Sequence, residues 1–329
     1  MRRVAVIFTG GTISMRHDPV LGGNVPSLDG AGILAQTPGL DAIAEVRPID
    51  MGRTPASHFS FAQLFEIGVA IRAAQTDQEI DGVVVVQGTD VLEETAFFWD
   101  LILDSPKPVV VTGAMRSASE PGYEGPQNLR DAVRAAAADA FIGAGVIVCM
   151  AGSIHAADDV TKTHASNLDT FQSLNDGPLA TVGADGISVI RRRGPRRFVR
   201  SHAAAEGIRL VTAHVAMDGA IIQALASIGV SGLVVEATGA GNTSAAVLDA
   251  ARPLMDAGIP VVLATRCASG AAGGGYAFPG GGAMWVRAGA LLPGTLSGPK
   301  ARIALALGVG GGLSGPNLRD LLAGQDLGA

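Results

Sequence analysis

Short, unbroken apolar runs alternate along the chain with longer stretches whose apolar residues return at helical spacing. The runs Val4–Phe8, Val83–Val86, Val109–Thr112, Val146–Met150, Leu210–Val215, Leu233–Glu236 and Val261–Thr265 read as strands. Continuous apolar runs of this length suit strands covered on both faces. Ser60–Ala74, Leu92–Leu103, Gln127–Phe141, Gly219–Ser227, Ser244–Ala257 and Pro299–Leu307 read as helices. Such alternation predicts an α/β fold, a parallel sheet with helices on both faces. An Arg-, Gly- and Pro-rich segment breaks the rhythm and reads as a linker, 191–208. It separates a larger N-terminal doubly wound domain, 1–190, from a smaller C-terminal parallel α/β domain, 209–329. Arg191-Arg192-Arg193 with Arg196-Arg197 is expected to be a solvated cluster within that linker.

Composition narrows the picture. The chain has 329 residues, room for two domains, with 48% hydrophobic and 16% charged residues and 45 glycines. That describes a well-buried globular protein with many tight turns. The net charge is −6, and a nucleic-acid partner is excluded for want of a sustained basic surface. Cys149 and Cys267 stand far apart, which supports neither a disulfide framework nor a zinc site. Met1-Arg2-Arg3 runs straight into the first strand, and no stretch of about twenty apolar residues follows anywhere. The expected location is the cytoplasm, with no membrane partner.

Candidate chemistry gathers where strands end. Val4–Phe8 stops in Thr9-Gly10-Gly11-Thr12, and Val83–Val86 in Gln87-Gly88-Thr89-Asp90. Val109–Val111 ends in Thr112-Gly113-Ala114-Met115-Arg116. Glycine lets the chain turn sharply and lets a ligand approach the backbone. In an open α/β sheet the carboxyl ends of the strands are where ligands bind. Locally, Asp90 reads equally well as a helix N-cap, with Glu93 completing a capping box. Residues 16–36 carry no periodicity and read as a long irregular loop, a lid over Thr12 rather than a surface excursion. Lys162 falls in the polar stretch Asp158–Thr163, and alone it reads as an exposed, idle lysine. Thr238-Gly239-Ala240-Gly241-Asn242 follows a strand and opens a helix, so a nucleotide-binding protein or sugar kinase is an alternative. Its spacing is not that of a phosphate-binding loop, and no magnesium ligands are assignable.

Together these stretches resemble the bacterial L-asparaginase (asparaginase/glutaminase) family. The resemblance rests on Thr9-Gly10-Gly11-Thr12-Ile13, Gly88-Thr89-Asp90 with Glu93-Glu94-Thr95-Ala96, and Lys107-Pro108-Val109-Val110 with Thr112–Arg116. Gly125-Pro126, Asn128-Leu129, Asp159-Val160-Thr161-Lys162-Thr163, Gly241-Asn242, Gly294-Thr295-Leu296 and Lys300-Ala301-Arg302 extend it over nearly the whole chain. It implies two α/β domains, and side-chain amide hydrolysis through an acyl-enzyme on Thr12. It further implies a Thr89–Lys162–Asp90 triad, with Gly11, Gly88, Ala114, Met115 and Asn242 around the substrate. Ser57, beside His58, is the counterpart for the substrate carboxylate. No metal or organic cofactor is implied. The partners implied are a small-molecule amide and further copies of the chain, as a dimer or dimer of dimers.

Departures are specific. Asn24-Val25 stands where many members carry a lid tyrosine, and the chain's tyrosines are Tyr123 and Tyr276. Gln87 replaces the usual histidine, Val91 replaces a threonine, and Ser244 replaces an asparagine. The partner-subunit acid has no counterpart around Gly280–Met284. The resemblance therefore supports an L-asparaginase, with a threonine amidase acting on another amide or a lactam as the alternative.

Overall fold

The computed structural model describes residues 1–324. Two compact units result, Met1–Gly194 and a second beginning at Pro195.

The first unit opens with β1 (Arg3–Phe8), β2 (Met15–Asp18), β3 (Gly23–Pro26), α1 (Gly30–Ala35) and β4 (Glu45–Asp50). There follow α2 (Phe61–Thr76), β5 (Gly82–Val86), α3 (Leu92–Ile102), β6 (Val109–Thr112) and α4 (Gly125–Ala136). It closes with β7 (Val146–Met150), β8 (Ser153–Ala156), β9 (Val160–Lys162), β10 (Phe171–Ser173), β11 (Ala180–Gly183) and β12 (Gly186–Val189). Its main sheet has 8 strands in the order β12-β11-β8-β7-β6-β5-β1-β4. Neighbours from β7 to β4 are parallel, and β8, β11 and β12 extend the sheet antiparallel.

Strand periodicity explains the double covering. Val4, Val6, Phe8, Val84, Val86 and Val110 pack with Ile33 of α1 and with Leu129, Ala132, Val133 and Ala136 of α4. The alternate positions Ala5, Ile7, Val83, Val85, Val109 and Val111 are equally buried. They face the side on which α2 and α3 pack against the sheet. On that side the Trp99 indole N–H is satisfied by the Leu64 carbonyl at 2.9 Å, as a buried donor requires.

The second unit has a parallel 3-stranded sheet of β13 (Ile208–Thr212), β14 (Gly232–Ala237) and β15 (Val261–Thr265). Its helices are α5 (Ala220–Ile228), α6 (Ala245–Asp256), α7 (Gly282–Arg287), α8 (Gly298–Gly310) and α9 (Gly315–Ala323). Among the described residues no helix is long and apolar enough to cross a membrane.

Three local expectations are corrected. Residues 16–36 are not an irregular loop, because they form the β2–β3 hairpin and α1. The helix is started by Asp29, whose carboxylate accepts from Gly32 N at 2.8 Å. The helix expected over Gln127–Phe141 ends at Ala136, and a separate 3₁₀ turn covers Asp139–Phe141. The basic cluster is not wholly solvated. The Arg193 side chain is only 5% exposed and bonds to Asp100 and Asp158, each at 2.7 Å. Burial alone lowers the pKa of a guanidinium, but these two carboxylates raise that of Arg193 further than burial lowers it.

Candidate active site

Parallel register brings the strand-end motifs side by side. Phe8 pairs with Val86, and Val86 with Thr112, so β1, β5 and β6 end level with one another. Backbone bonds carry the alignment into the turns. Thr9 N donates to Val86 O and Gln87 N to Thr112 O, both at 3.0 Å. The Thr9 hydroxyl also donates to Val86 O, at 3.1 Å.

Gly10 and Gly11 hold φ of +108° and +93°, a region that side-chain-bearing residues rarely enter. The crowding is as strict as the dihedrals. A Cβ on Gly11 would collide with the backbone N and Cα of Gly88, and one on Gly10 would sit 2.7 Å from Arg53 Cα. The first two turns therefore meet backbone to backbone, with Thr12 and Thr89 each following the touching glycine.

Thr12 begins one 3₁₀ turn, Thr12–Ser14. The Ser14 N–H and hydroxyl both donate to Gly11 O, at 2.9 and 2.7 Å. Thr12 is half-buried, and among the described residues its hydroxyl makes no hydrogen bond. Thr89 is 3% exposed, and its hydroxyl accepts from Lys162 Nζ at 3.0 Å. Asp90 Oδ1 lies 3.6 Å from the same nitrogen, while its side chain is 68% exposed. An ion pair this open to water contributes little stability, under about 1 kcal/mol.

Lys162 is not idle, because it closes β9, which pairs antiparallel with β10. The Glu93 carboxylate accepts its backbone N–H at 2.7 Å. This corrects the capping box: α3 has Val91 at its N-cap and no side-chain cap bond. Both acids expected to cap the helix turn instead to Lys162, one to its backbone and one to its ammonium.

Ser57 and His58 are exposed on a 3₁₀ turn, Ala56–His58, packed against Gly88 through Ala56. Ala114 is fully buried just beyond β6. The N–H of Met115 is occupied, since it and that of Arg116 donate to the Glu124 carboxylate. Asn24 and Val25 lie on β3, opposite His17 and Arg16. Beside Asn24, the Glu120 carboxylate accepts from Ser117 N at 2.6 Å, and its pKa is lowered chiefly by that N–H and less by Asn24. Asn242 belongs to the second unit, where its side-chain oxygen accepts from Gly282 N at 3.3 Å. Among the described residues no group of three or more His, Cys, Asp or Glu is suitably gathered to hold a metal.

Sequence reasoning missed Glu93 as a support of Lys162, and gave Glu124 and Tyr123 no role. Glu93 carried a signal, an acid three positions after Asp90, that capping explains equally well. Tyr123 carried none, because the carbonyl it meets lies 110 residues away, and Glu124 none, because nothing in the sequence marks the backbone N–H groups it accepts from.

Residues 3–194 match the family model described as "Asparaginase, N-terminal", and residues 207–322 that of the "Glutaminase/Asparaginase C-terminal domain". A protein of Deinococcus radiodurans named "Probable L-asparaginase" is 36% identical over 333 residues, 96% of each chain. An L-asparaginase of Bacillus licheniformis is 30% identical over 306 residues, 93% of this chain and 95% of that one. A glutamyl-tRNA(Gln) amidotransferase chain of Methanothermobacter thermautotrophicus is 31% identical over 278 residues, 81% of this chain and 63% of its own. With both family models matched in chain order across nearly all of its length, this chain belongs to the asparaginase/glutaminase family.

Proposed function

We propose that the protein hydrolyses the side-chain amide of L-asparagine to aspartate and ammonia through an ester on Thr12. One observation carries the reading: Lys162 Nζ stands 3.0 Å from the Thr89 hydroxyl, beside the glycine turn that presents Thr12. Two relatives named as L-asparaginases support the substrate.

A threonine hydroxyl is a weak nucleophile and needs a base. The Thr12 oxygen attacks the amide carbonyl, and the N–H groups of Thr89 and Ala114 receive the developing oxyanion. The Thr12 proton passes to the leaving nitrogen, and ammonia departs. A water molecule then attacks the ester, giving a proton to the Thr89 oxygen as that hydroxyl passes its own to Lys162, and the proton returns to the Thr12 oxygen as the ester opens and the acid leaves. A lysine serves as a base only in its uncharged form, and the Lys162 side chain is 16% exposed. Asp90 orients the ammonium and offers its exposed carboxylate to the substrate's α-ammonium.

Ammonia release from L-asparagine, with L-glutamine, D-asparagine and simple amides alongside, tests the reading. Turnover of another amide alone favours the second reading, a threonine amidase of different substrate. That reading draws on the departures from the family, Asn24-Val25 in place of the lid tyrosine and no counterpart of the partner acid around Gly280–Met284. Pairing of two copies and cytoplasmic residence belong to the same proposal, checked by sedimentation and by cell fractionation.

A further inference from the structure

Every carbonyl of the turn that carries Thr12 is accounted for. Gly11 O accepts from Ser14 N at 2.9 Å, and Thr12 O from Met15 N. The carbonyl of Ile13, a fully buried residue, accepts from the Tyr123 hydroxyl at 2.8 Å. The first two bonds are local and come with the 3₁₀ turn. The third crosses from the loop that leaves β6, 110 residues downstream.

That loop is built to hold the hydroxyl still. Glu124 clamps the N–H groups of Met115 and Arg116, and the Arg116 guanidinium reaches back to Pro121 O at 3.0 Å. Tyr123 N donates to Glu120 O at 3.2 Å. The ring lies on Gly125, where an added Cβ would come within 2.5 Å of the ring and its oxygen. Two bonds of 3.0 Å, Ala118 N to Met15 O and His17 N to the Ser119 hydroxyl, seat the loop on the β2–β3 hairpin. Burial, and secondarily Glu124, raise the phenol's pKa, so it stays a donor.

We infer that Tyr123 is a positioning residue for Thr12, setting the Ile13 peptide and through it the direction of the Thr12 hydroxyl. This rests on Thr12 as the nucleophile. A buried carbonyl stripped of its donor turns to find another, Ile13 ψ and Ser14 φ turn with it, and the 3₁₀ turn that begins at Thr12 shifts. A small misplacement of a reacting atom lowers turnover severely while leaving substrate contacts intact.

The test is Tyr123→Phe, which keeps the ring. The expected result is kcat lower by about tenfold or more, KM within about twofold, and the rate of Thr12 modification by an electrophilic amide analogue lower in the same ratio. Wild-type kcat, with or without a lower Tm, overturns the inference and leaves a packing role only. Gly125→Ala serves if Tyr123→Phe does not fold, because its Cβ pushes the hydroxyl off Ile13. A folded Gly125→Ala with wild-type kcat also overturns the inference. Thr12→Ala is measured in parallel. If it is inactive while Tyr123→Phe is normal, only the inference fails. If Thr12→Ala turns over normally, the functional reading falls and the inference with it.

Discussion

Glu93 and Lys162 are joined through the backbone, the carboxylate of one accepting the N–H of the other at 2.7 Å. The bond fixes the end of β9 to the first turn of α3, and that turn also follows Thr89 and Asp90. The lysine ammonium and the groups it meets are thus held by one helix. Glu93→Ala is expected to cost about 2 kcal/mol, as loss of a charge-assisted bond does, and to lower kcat about tenfold. Glu93→Gln retains an acceptor oxygen and should recover most of both. Urea unfolding and kcat for the pair check this, and equal loss in both variants sinks it.

Lys162→Met is expected to lower kcat by about 10² to 10⁴, the range of general acid–base catalysis. Lys162→Arg is expected to fail equally, since a guanidinium does not give up its proton at working pH. Steady-state kinetics and circular dichroism on both variants decide the matter. A fully active arginine variant removes base catalysis from this position.

Two glycine-to-alanine exchanges separate crowding from dihedral strain. Gly11 has positive φ and backbone against it, whereas Gly22, at φ +68°, has nothing within 4 Å of its absent Cβ. Gly22→Ala is expected to cost about 1 kcal/mol, the left-handed penalty alone. Gly11→Ala adds a backbone collision and is expected to cost about 3 kcal/mol or more, with loss of turnover. Comparable melting temperatures for the two would contradict the contact between the turns.

His155 predicts an acid limit. It is 1% exposed, its Nδ1 lies 3.0 Å from the Ser173 hydroxyl, and its Nε2 has no hydrogen-bond partner among the described residues. Burial pushes its pKa down from 6.5 to about 4, with Asp159 opposing and Arg191 adding to the shift. The native state therefore holds this imidazole neutral while the unfolded chain protonates it. Stability is intact above about pH 6.5 and falls as pH drops towards 4, by on the order of 3 kcal/mol over the window. Thermal unfolding between pH 7 and 4.5 checks it. His155→Asn should be less stable at neutral pH but flatter across the window, and an unchanged slope disproves the assignment.

Legibility in the sequence followed burial. Val83–Val86 and Val146–Met150 announce themselves because strands covered on both faces are apolar throughout. The β2–β3 hairpin, with Arg16-His17-Asp18 on one strand, is short and largely exposed, so no period of two stands out. The antiparallel strands β8, β11 and β12 are four residues each and equally quiet. The threonine turns were legible because glycine at a strand end has few other reasons to be there. Lys162 was legible only through the family resemblance, since its partner Thr89 stands 73 residues away. Tyr123 lay beyond reach, because nothing in a tyrosine marks the carbonyl it will bind.

The fully buried carboxylate of Asp100 sits on α3, and its partner Arg193 arrives 93 residues later in the chain. During synthesis the helix and the strands around it are complete long before that cation emerges. A chain ending at residue 190 keeps the Val146 N–H on Asp100, at 2.9 Å, but loses the Arg193 guanidinium, and burying a carboxylate without that counter-charge is costly. The first unit therefore gains this ion pair only with its last residues. Arg193 thus ties the end of the first unit to α3, and a truncation only a few residues short of it should yield a less stable first unit.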